Sequence, residues 1–218
     1  MKIAALVFDD ITALDLIGPL EVFGNIPGTE IVFVGASETV TAERTGLALG
    51  APARFEDVAE ADILIVPGGY GTRPLTKDQP TLDWIRAIDE TTTWTTSVCT
   101  GALLLAAAGL LDGRPATTHW LAYDELRALG AEPTEQRVVF SDKYVTGAGV
   151  SAGIDMALEL TRAIHGPELA QAIQLGIEYD PQPPFDSGAP SKADPAIVEL
   201  LRTRAAPPHA EPDEGRSR

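Results

Sequence analysis

The chain has 218 residues, of which 44% are hydrophobic, 32 are acidic and 16 are basic, so its formal net charge is −16. This length and apolar content suit one well-sized α/β core, while an acidic chain without clustered Lys and Arg is not expected to bind nucleic acid. One cysteine allows no internal disulfide, and three histidines without a Cys/His cluster at zinc-ligand spacing argue against a metal site.

The N-terminus opens with residues 2–8, an apolar run that we interpret as the first β-strand. The run is too short for a signal peptide and lacks a small-residue cleavage site. The apolar stretch 102–111 is interrupted by Gly109 and falls short of the ~18–20 residues that span a membrane. We therefore expect a soluble, cytoplasmic protein with no membrane partner.

Apolar runs of strand length alternate with segments of helix length along the first half of the chain. This alternation predicts an open parallel sheet covered by helices on both faces. The runs 31–34 and 63–66 lack polar alternation, so we interpret both as central strands. Residues 39–44 and 47–52 predict a small, peripheral hairpin around Thr45-Gly46. The other predicted elements are strands at 3–8, 30–36, 62–66 and 95–98 and helices at 14–24, 81–90 and 100–108.

The second half of the chain predicts shorter strands and two long helices. Residues 180–192 are rich in proline, which removes backbone donors and restricts its predecessor, so they predict an extended arm. We treat 1–206 as a single domain and 207–218, which has no large apolar residue, as a disordered tail. The predicted elements are a strand at 116–118, helices at 119–129, 149–165, 168–179 and 195–204, and a hairpin of 138–140 with 143–146.

Cys99, the only cysteine, lies at the junction of the strand 95–98 and the helix 100–108. A side chain on a tight strand-to-helix turn stands clear of the sheet, beside the free N–H groups of the new helix. We expect this thiol to ionise more easily than a free one and to act as a nucleophile. The alternative is an inert cysteine that packs as a small hydrophobe.

Loops that follow the strands of a parallel sheet meet at its carboxyl edge, so 9–19, 67–71 and 99–101 should share one pocket. The first loop holds Asp15 among apolar neighbours. Burial and a nearby thiolate both raise the pKa of a carboxyl group, so Asp15 could hold a proton and donate it. The alternative is an ordinary aspartate that caps the helix.

The loop 67–71, Pro-Gly-Gly-Tyr-Gly, lacks the motifs of a nucleotide-binding loop. Its glycines would let the N–H groups of Gly68 and Gly69 approach a transient negative charge, although a plain strand-ending turn is the alternative. His119, followed by Trp120, is a candidate pocket residue because a Cys-His pair commonly activates a thiol. Helix capping or core packing are alternative roles for His119.

Four segments together resemble the ThiJ/PfpI group of the class I glutamine amidotransferase-like superfamily. Within that group, Cys99-Thr100-Gly101 and two later segments look most like isonitrile hydratases. The resemblance spans about residues 1–188. The four segments are 2–8, 13–23, 65–69 and 97–102, and the later ones are 116–120 and 177–185.

The resemblance implies a flavodoxin-like fold with a nucleophile elbow, a homodimer, and neither a metal nor a cofactor. It also implies a cysteine nucleophile assisted by an acidic residue and by the next threonine, which fall on Cys99, Asp15 and Thr100. PfpI-type peptidases carry His after the cysteine, so Thr100 argues against that activity. Related AraC-type regulators append a DNA-binding region, which we do not expect in a chain of this length.

The expected activity is that of an isonitrile hydratase, a lyase that converts a small-molecule isonitrile to an N-substituted formamide. Cys99 would form a thioimidate while Asp15 acts as general acid and base. The pocket should be mostly apolar, with Ile17, Tyr70 and Trp120 among its walls. Two alternatives stay open: a redox or small-molecule sensor built on Cys99, or another cysteine-dependent hydrolase or glyoxalase-like enzyme.

Overall fold

A computed structural model of the protein describes residues 1–205. The chain divides into two compact units, one formed by Met1–Tyr179 and one that begins at Asp180. None of the helices described is long and apolar enough to cross a membrane. The candidate site residues all lie in the first unit.

Ten strands and eight helices make up the described chain. The strands are β1 (Lys2–Leu6), β2 (Glu30–Val34), β3 (Thr39–Thr41), β4 (Ala48–Gly50), β5 (Ile63–Val66), β6 (Trp94–Val98), β7 (Pro115–Ala116), β8 (Glu132–Pro133), β9 (Val138–Ser141) and β10 (Tyr144–Gly147). The helices are α1 (Ala13–Phe23), α2 (Thr72–Leu75), α3 (Gln79–Asp89), α4 (Gly101–Ala107), α5 (Tyr123–Ala128), α6 (Ala152–His165), α7 (Pro167–Gly176) and α8 (Pro195–Ala205).

Six strands form the central sheet in the order β2-β1-β5-β6-β10-β9. The first five run parallel, and β9 pairs antiparallel with β10 at one edge. Counted over the parallel strands alone, the order is the 2-1-3-4-5 arrangement of flavodoxin-like folds. The predicted α/β class is therefore confirmed, and the carboxyl ends of β1, β5 and β6 lie side by side.

The strand β5 is buried along its whole length, as its run of Ile, Leu and Val predicts. The prediction that 31–34 is a central strand is wrong, because β2 lies at the edge of the sheet and most of its side chains are only partly buried. An apolar run indicates that the faces of a strand are covered. It does not indicate whether both of its edges are paired.

Two groups of helices flank the sheet. Helix α6 packs against α1 and α7, whereas α4 packs against α2, α3 and α5. Helix α3 begins with an N-cap, since Asp78 Oδ2 accepts a hydrogen bond from the Thr81 N–H at 3.0 Å. Helix α2 was not predicted, because four residues are too few to show a helical period.

Of the short strand predicted at 116–118, only Ala116 lies in a strand, β7, which pairs with β8 in a separate two-stranded sheet. The helix predicted at 119–129 consists of a 3₁₀ turn at Trp120–Ala122 and then α5. The hairpin of β3 and β4 is antiparallel, as predicted.

In the second unit, residues 180–194 form neither helix nor strand, and α8 agrees with the helix predicted at 195–204. The side chains of Phe185 and of α8 are exposed or partly exposed within the described residues. The predicted tail 207–218 lies outside the described residues. That 1–206 forms one domain stays a prediction.

Candidate active site

Cys99 occupies a strained turn between β6 and α4. Its φ angle is +56°, a left-handed conformation that costs a non-glycine residue of order 1–3 kcal/mol. Three hydrogen bonds hold the turn: the Cys99 N–H donates to the carbonyl oxygens of Gly147 and Ala148 at 3.0 Å, and the Cys99 carbonyl accepts from Thr118 Oγ1 at 2.8 Å. The predicted nucleophile elbow is therefore present, and tertiary contacts maintain it.

The Cys99 residue is only 5% exposed. Burial and the neighbouring Asp15 charge raise the pKa of the thiol well above its ordinary value, although hydrogen bonds from the Val150 and Thr100 N–H groups partly oppose this. The expectation that the elbow makes the thiol ionise more easily is therefore wrong for the resting site. The free N–H groups of α4 do favour a thiolate, but removal from water and a buried carboxyl group outweigh them.

Asp15 lies in the first turn of α1 and is fully buried. Its Oδ2 accepts a hydrogen bond from the Gly68 N–H at 3.1 Å, and Oδ1 lacks a regular hydrogen-bond partner among residues 1–205. Burial raises the pKa of Asp15 to about 7, against the lowering effects of the Cys99 thiol and the Gly68 N–H. The carboxyl group therefore does not cap its own helix and can hold a proton near neutral pH, as predicted.

Asp15 and Cys99 form one coupled acid pair in a dry site. The negative charge of Asp15 raises the pKa of the Cys99 thiol, so the pair does not readily lose both protons. Moving the shared proton from sulfur to carboxylate creates a thiolate without changing the net charge of the site. The pair can therefore supply a nucleophile and an acid in the same step.

Thr100 joins the elbow to the glycine loop. Its Oγ1 accepts a hydrogen bond from the Gly69 N–H at 2.9 Å and lies 3.1 Å from the Gly69 carbonyl oxygen, to which it donates. A Cβ atom on residue 68 would lie 2.6 Å from the Thr100 nitrogen and 2.7 Å from Asp15 Oδ2, so this position requires glycine. Gly69 has a φ of +135°, which also favours glycine.

The N–H groups of Gly68 and Gly69 were expected to be free for a developing negative charge. In the structure they donate to Asp15 and Thr100 instead. The glycine loop therefore orients the acid and the hydroxyl group.

His119 lies beside the elbow. Its Nδ1 accepts a hydrogen bond from the Leu121 N–H at 3.3 Å, and a Cβ atom on Gly149 would come within 2.7 Å of its ring. Burial and the guanidinium charges of Arg73 and Arg44 lower the pKa of His119, which favours the neutral ring. The capping alternative is confirmed, and the ring also stacks on Trp120 at a centroid distance of 5.9 Å.

Ile17 and Tyr70 were both predicted to line the pocket. Tyr70 follows the glycine loop and is 51% exposed, so it lies at the surface end of the site. Ile17 lines an open groove of about 400 Å³ between α1, β2 and β4, whose lining residues do not include Cys99. A role for Ile17 in substrate binding stays a prediction.

Glu43 is a site residue that sequence reasoning missed. Its Oε1 accepts a hydrogen bond from Thr12 Oγ1 at 2.6 Å, and its Oε2 accepts one from the Tyr70 N–H at 2.7 Å. The carboxylate therefore ties the start of α1 to the glycine loop. The hairpin that carries it lies outside the central sheet, as predicted, yet Ala42 forms a β-bridge with Ile11. No spacing in the sequence indicates these contacts.

Arg44 and Arg73 were missed as well, and both guanidinium groups lie over the Tyr70 ring. Among residues 1–205, no group of three or more His, Cys, Asp and Glu side chains could hold a metal ion.

Comparison with known proteins identifies the family. Residues 1–163 match the DJ-1/PfpI family. The chain belongs to the DJ-1/PfpI family. This confirms the resemblance to the ThiJ/PfpI group.

Three relatives illustrate the range of this family. A protein from Pseudomonas putida named isonitrile hydratase is 45% identical over 207 residues, which cover 95% of this chain and 91% of that protein. The transcriptional regulator CdhR from Pseudomonas aeruginosa is 34% identical over 57% of this chain and 38% of its own length. The crystal structure of a ThiJ/PfpI family protein from Pseudomonas syringae superposes with a TM-score of 0.90 at 38% identity, over 93% of this chain and 85% of that one.

Proposed function

We propose that this protein is an isonitrile hydratase, which adds water to an isonitrile and releases an N-substituted formamide. The observation that carries the proposal is the buried pair of Asp15 and Cys99, in which a carboxyl group with a pKa of about 7 contacts a nucleophilic sulfur. The 45% identity to the P. putida isonitrile hydratase over 95% of the chain supports the same activity.

The first step adds the thiol across the terminal isonitrile carbon. The step starts from the singly protonated pair, with Asp15 ionised and the thiol protonated. Asp15 takes the proton from the Cys99 sulfur, the sulfur forms a bond to the carbon, and Asp15 delivers the same proton to that carbon. The product is a thioimidate, R–N=CH–S–Cys99, with Asp15 ionised. Because the proton moves within a coupled pair, no charge has to enter or leave the dry site.

The second step adds water to the thioimidate carbon. Asp15 accepts a proton from the water and passes it to the imine nitrogen, which leaves a tetrahedral carbon bonded to oxygen and sulfur. The carbon–sulfur bond then breaks, the remaining hydroxyl proton returns to the sulfur, and the formamide is released. Thr100 keeps the elbow aligned through its hydrogen bonds to Gly69.

The raised pKa of Cys99 argues against the sensor alternative. Thiols that sense oxidants are exposed and ionise easily, because the thiolate is the form that oxidises. Cys99 is buried, and its pKa is raised by that burial and by Asp15. A reaction that uses the thiol and its proton together fits this site better.

The test is formamide production from cyclohexyl and phenyl isonitriles, followed by chromatography against authentic formamides. Wild-type protein should turn over, whereas Cys99→Ala should be inactive and Asp15→Asn should lose about 100-fold or more, since positioned acid–base groups contribute that much. Circular dichroism must show that both variants fold. Wild-type protein that hydrates no isonitrile would refute the proposal.

Two finer points belong to the same proposal. We infer a homodimer from the resemblance to the ThiJ/PfpI group, and we propose a cytoplasmic location for the enzyme.

A further inference from the structure

Two arginines and a tyrosine form a rim beside the active site, which we define as Arg44, Tyr70 and Arg73. The guanidinium carbons of Arg44 and Arg73 lie 5.5 Å and 5.6 Å from the centroid of the Tyr70 ring, within the range of cation–π contact. The Nη2 group of Arg44 also donates to the Tyr70 hydroxyl oxygen at 3.1 Å. The three side chains therefore hold one another in place.

The rim adjoins the catalytic residues through the glycine loop and His119. Tyr70 directly follows Gly69, whose N–H binds the Thr100 hydroxyl group. Burial lowers the pKa of His119, and the charges of Arg73 and Arg44 lower it further, against the opposing charge of Glu43. His119 in turn follows Thr118, whose hydroxyl group binds the Cys99 carbonyl. The rim and His119 therefore both adjoin the residues that hold the Cys99 turn.

The acids near the rim leave part of this positive charge available. Glu43 turns inward to Thr12 and the Tyr70 N–H, and its Oε1 is 3.7 Å from Arg44 Nε. The Arg44 side chain is 72% exposed. A guanidinium group has five N–H donors, and the contacts of Arg44 within residues 1–205 engage only part of them. Arg73 is paired with Glu125 at 2.8 Å, and both side chains are exposed to solvent.

The catalytic pair carries at most one negative charge. Because the charge of Asp15 raises the pKa of the Cys99 thiol, the pair does not readily lose both protons. The rim therefore places two guanidinium groups near a site with at most one negative charge, on a protein whose formal net charge is −16. An anion that enters here avoids the repulsion that most of the acidic surface would exert.

We propose that Arg44 and Arg73 bind a carboxylate on the substrate, so that the preferred substrates are isonitriles with a carboxylate at the end away from the isonitrile carbon. This inference rests on the proposed function and names the substrate class. Planar guanidinium groups pair bidentately with carboxylates, and the exposed Tyr70 ring offers an apolar face to the connecting chain. Because the ring already orders both arginines, less side-chain freedom is lost on binding.

The experiment compares ω-isocyano carboxylates of increasing chain length with their methyl esters. For at least one chain length, wild-type kcat/KM should be about tenfold or more higher for the acid than for its ester. Arg44→Gln and Arg73→Gln should each lower this acid-to-ester ratio about tenfold. Arg162→Gln is the matched control, since Arg162 is an exposed arginine in a salt bridge with Glu159 and lies outside the rim. Its ratio should equal that of the wild type.

A second measurement needs no variant. Raising the ionic strength from about 0.02 M to about 0.5 M shortens the screening length and should raise KM for the acids several-fold more than for the esters. Equal salt dependence, or a wild-type ratio of one or below at every length, would overturn the rim proposal while hydration of the esters still upheld the proposed function. Failure to hydrate any acid or ester would overturn the proposed function itself.

Discussion

Asp15 and Cys99 illustrate how burial changes the chemistry of a single residue. The local sequence places Asp15 among apolar side chains, and the structure leaves it fully buried, so its proton is bound more tightly than in water. The same burial keeps the Cys99 thiol protonated, contrary to what the elbow alone suggests. The resting site is therefore an acid pair that becomes a nucleophile when the substrate accepts its proton.

Asp15 should make the stability of the protein depend on pH. Its pKa is about 7 in the folded protein against an ordinary value of 3.8, so the folded state binds the proton more tightly. The stabilisation is complete below about pH 4 and is lost as the pH rises through about 7, by up to roughly 4 kcal/mol. Asp15→Asn removes this pH dependence. Urea unfolding at about pH 5 and pH 8 measures how far the free energy of unfolding falls between the two pH values. This fall should be smaller for the variant than for the wild type, and an identical fall would contradict the prediction.

Thr100 should matter through its hydroxyl group. Thr100→Val leaves the Gly69 N–H without its partner in a buried site, at a cost of about 1–2 kcal/mol. The misplaced elbow should lower kcat/KM for isonitrile hydration about 10- to 100-fold. Thr100→Ser keeps the hydroxyl group and should restore most of the activity. Equal activity of the two variants would show that the hydroxyl group has no role.

At the scale of elements, the hairpin of β3 and β4 shows what local patterning leaves open. The alternating sequence predicts the two strands, yet the contacts of Glu43 with Thr12 and Tyr70 join residues 31 and 27 positions apart. The edge position of β2 is a similar case, because strand order depends on pairing between distant segments. Local hydrophobicity indicates that an element is covered. Contacts with distant segments decide which residues cover it.

A second polar cluster, centred on Asp89, joins α3, β6 and the turn before β10. Asp89 accepts a hydrogen bond from Thr95 Oγ1 at 2.6 Å and one from the Tyr144 hydroxyl group at 3.3 Å, and Lys143 Nζ lies 3.2 Å away. Asp89 is nearly buried, and Thr95 lies at the opposite end of β6 from Cys99. The cluster therefore stabilises the fold without contacting the catalytic residues.

Asp89→Ala should lower the free energy of unfolding by about 2–3 kcal/mol, because it leaves buried donors and a partly buried ammonium group unpaired. Isonitrile hydration at low temperature should be retained, since the catalytic residues keep their partners. Asp124→Ala is the matched control, because the Asp124 side chain is almost fully exposed and its pair with Arg127 should contribute less than about 1 kcal/mol. Chemical denaturation of both variants measures the difference, and equal losses would contradict the assignment.

At the scale of the whole molecule, the homodimer can be tested by mass. The chain weighs 23.0 kDa, so analytical ultracentrifugation should give a species of twice that mass. With a formal net charge of −16, two copies repel each other at long range, and the dimer should therefore be favoured by added salt. A single species of 23.0 kDa at micromolar concentration and moderate salt would contradict the prediction.

The sequence by itself determined the α/β class, the order of the main elements and the elbow at Cys99. These features follow from periodicity and from immediate neighbours, which are local properties of a chain. Only the tertiary structure decided between a helix cap and a buried acid for Asp15. It also decided that the glycine loop orients Asp15 and Thr100, that burial raises the pKa of the Cys99 thiol, and that Arg44 and Arg73 meet at Tyr70. Each of these depends on burial or on contacts between segments that are distant in sequence, so no local pattern encodes them.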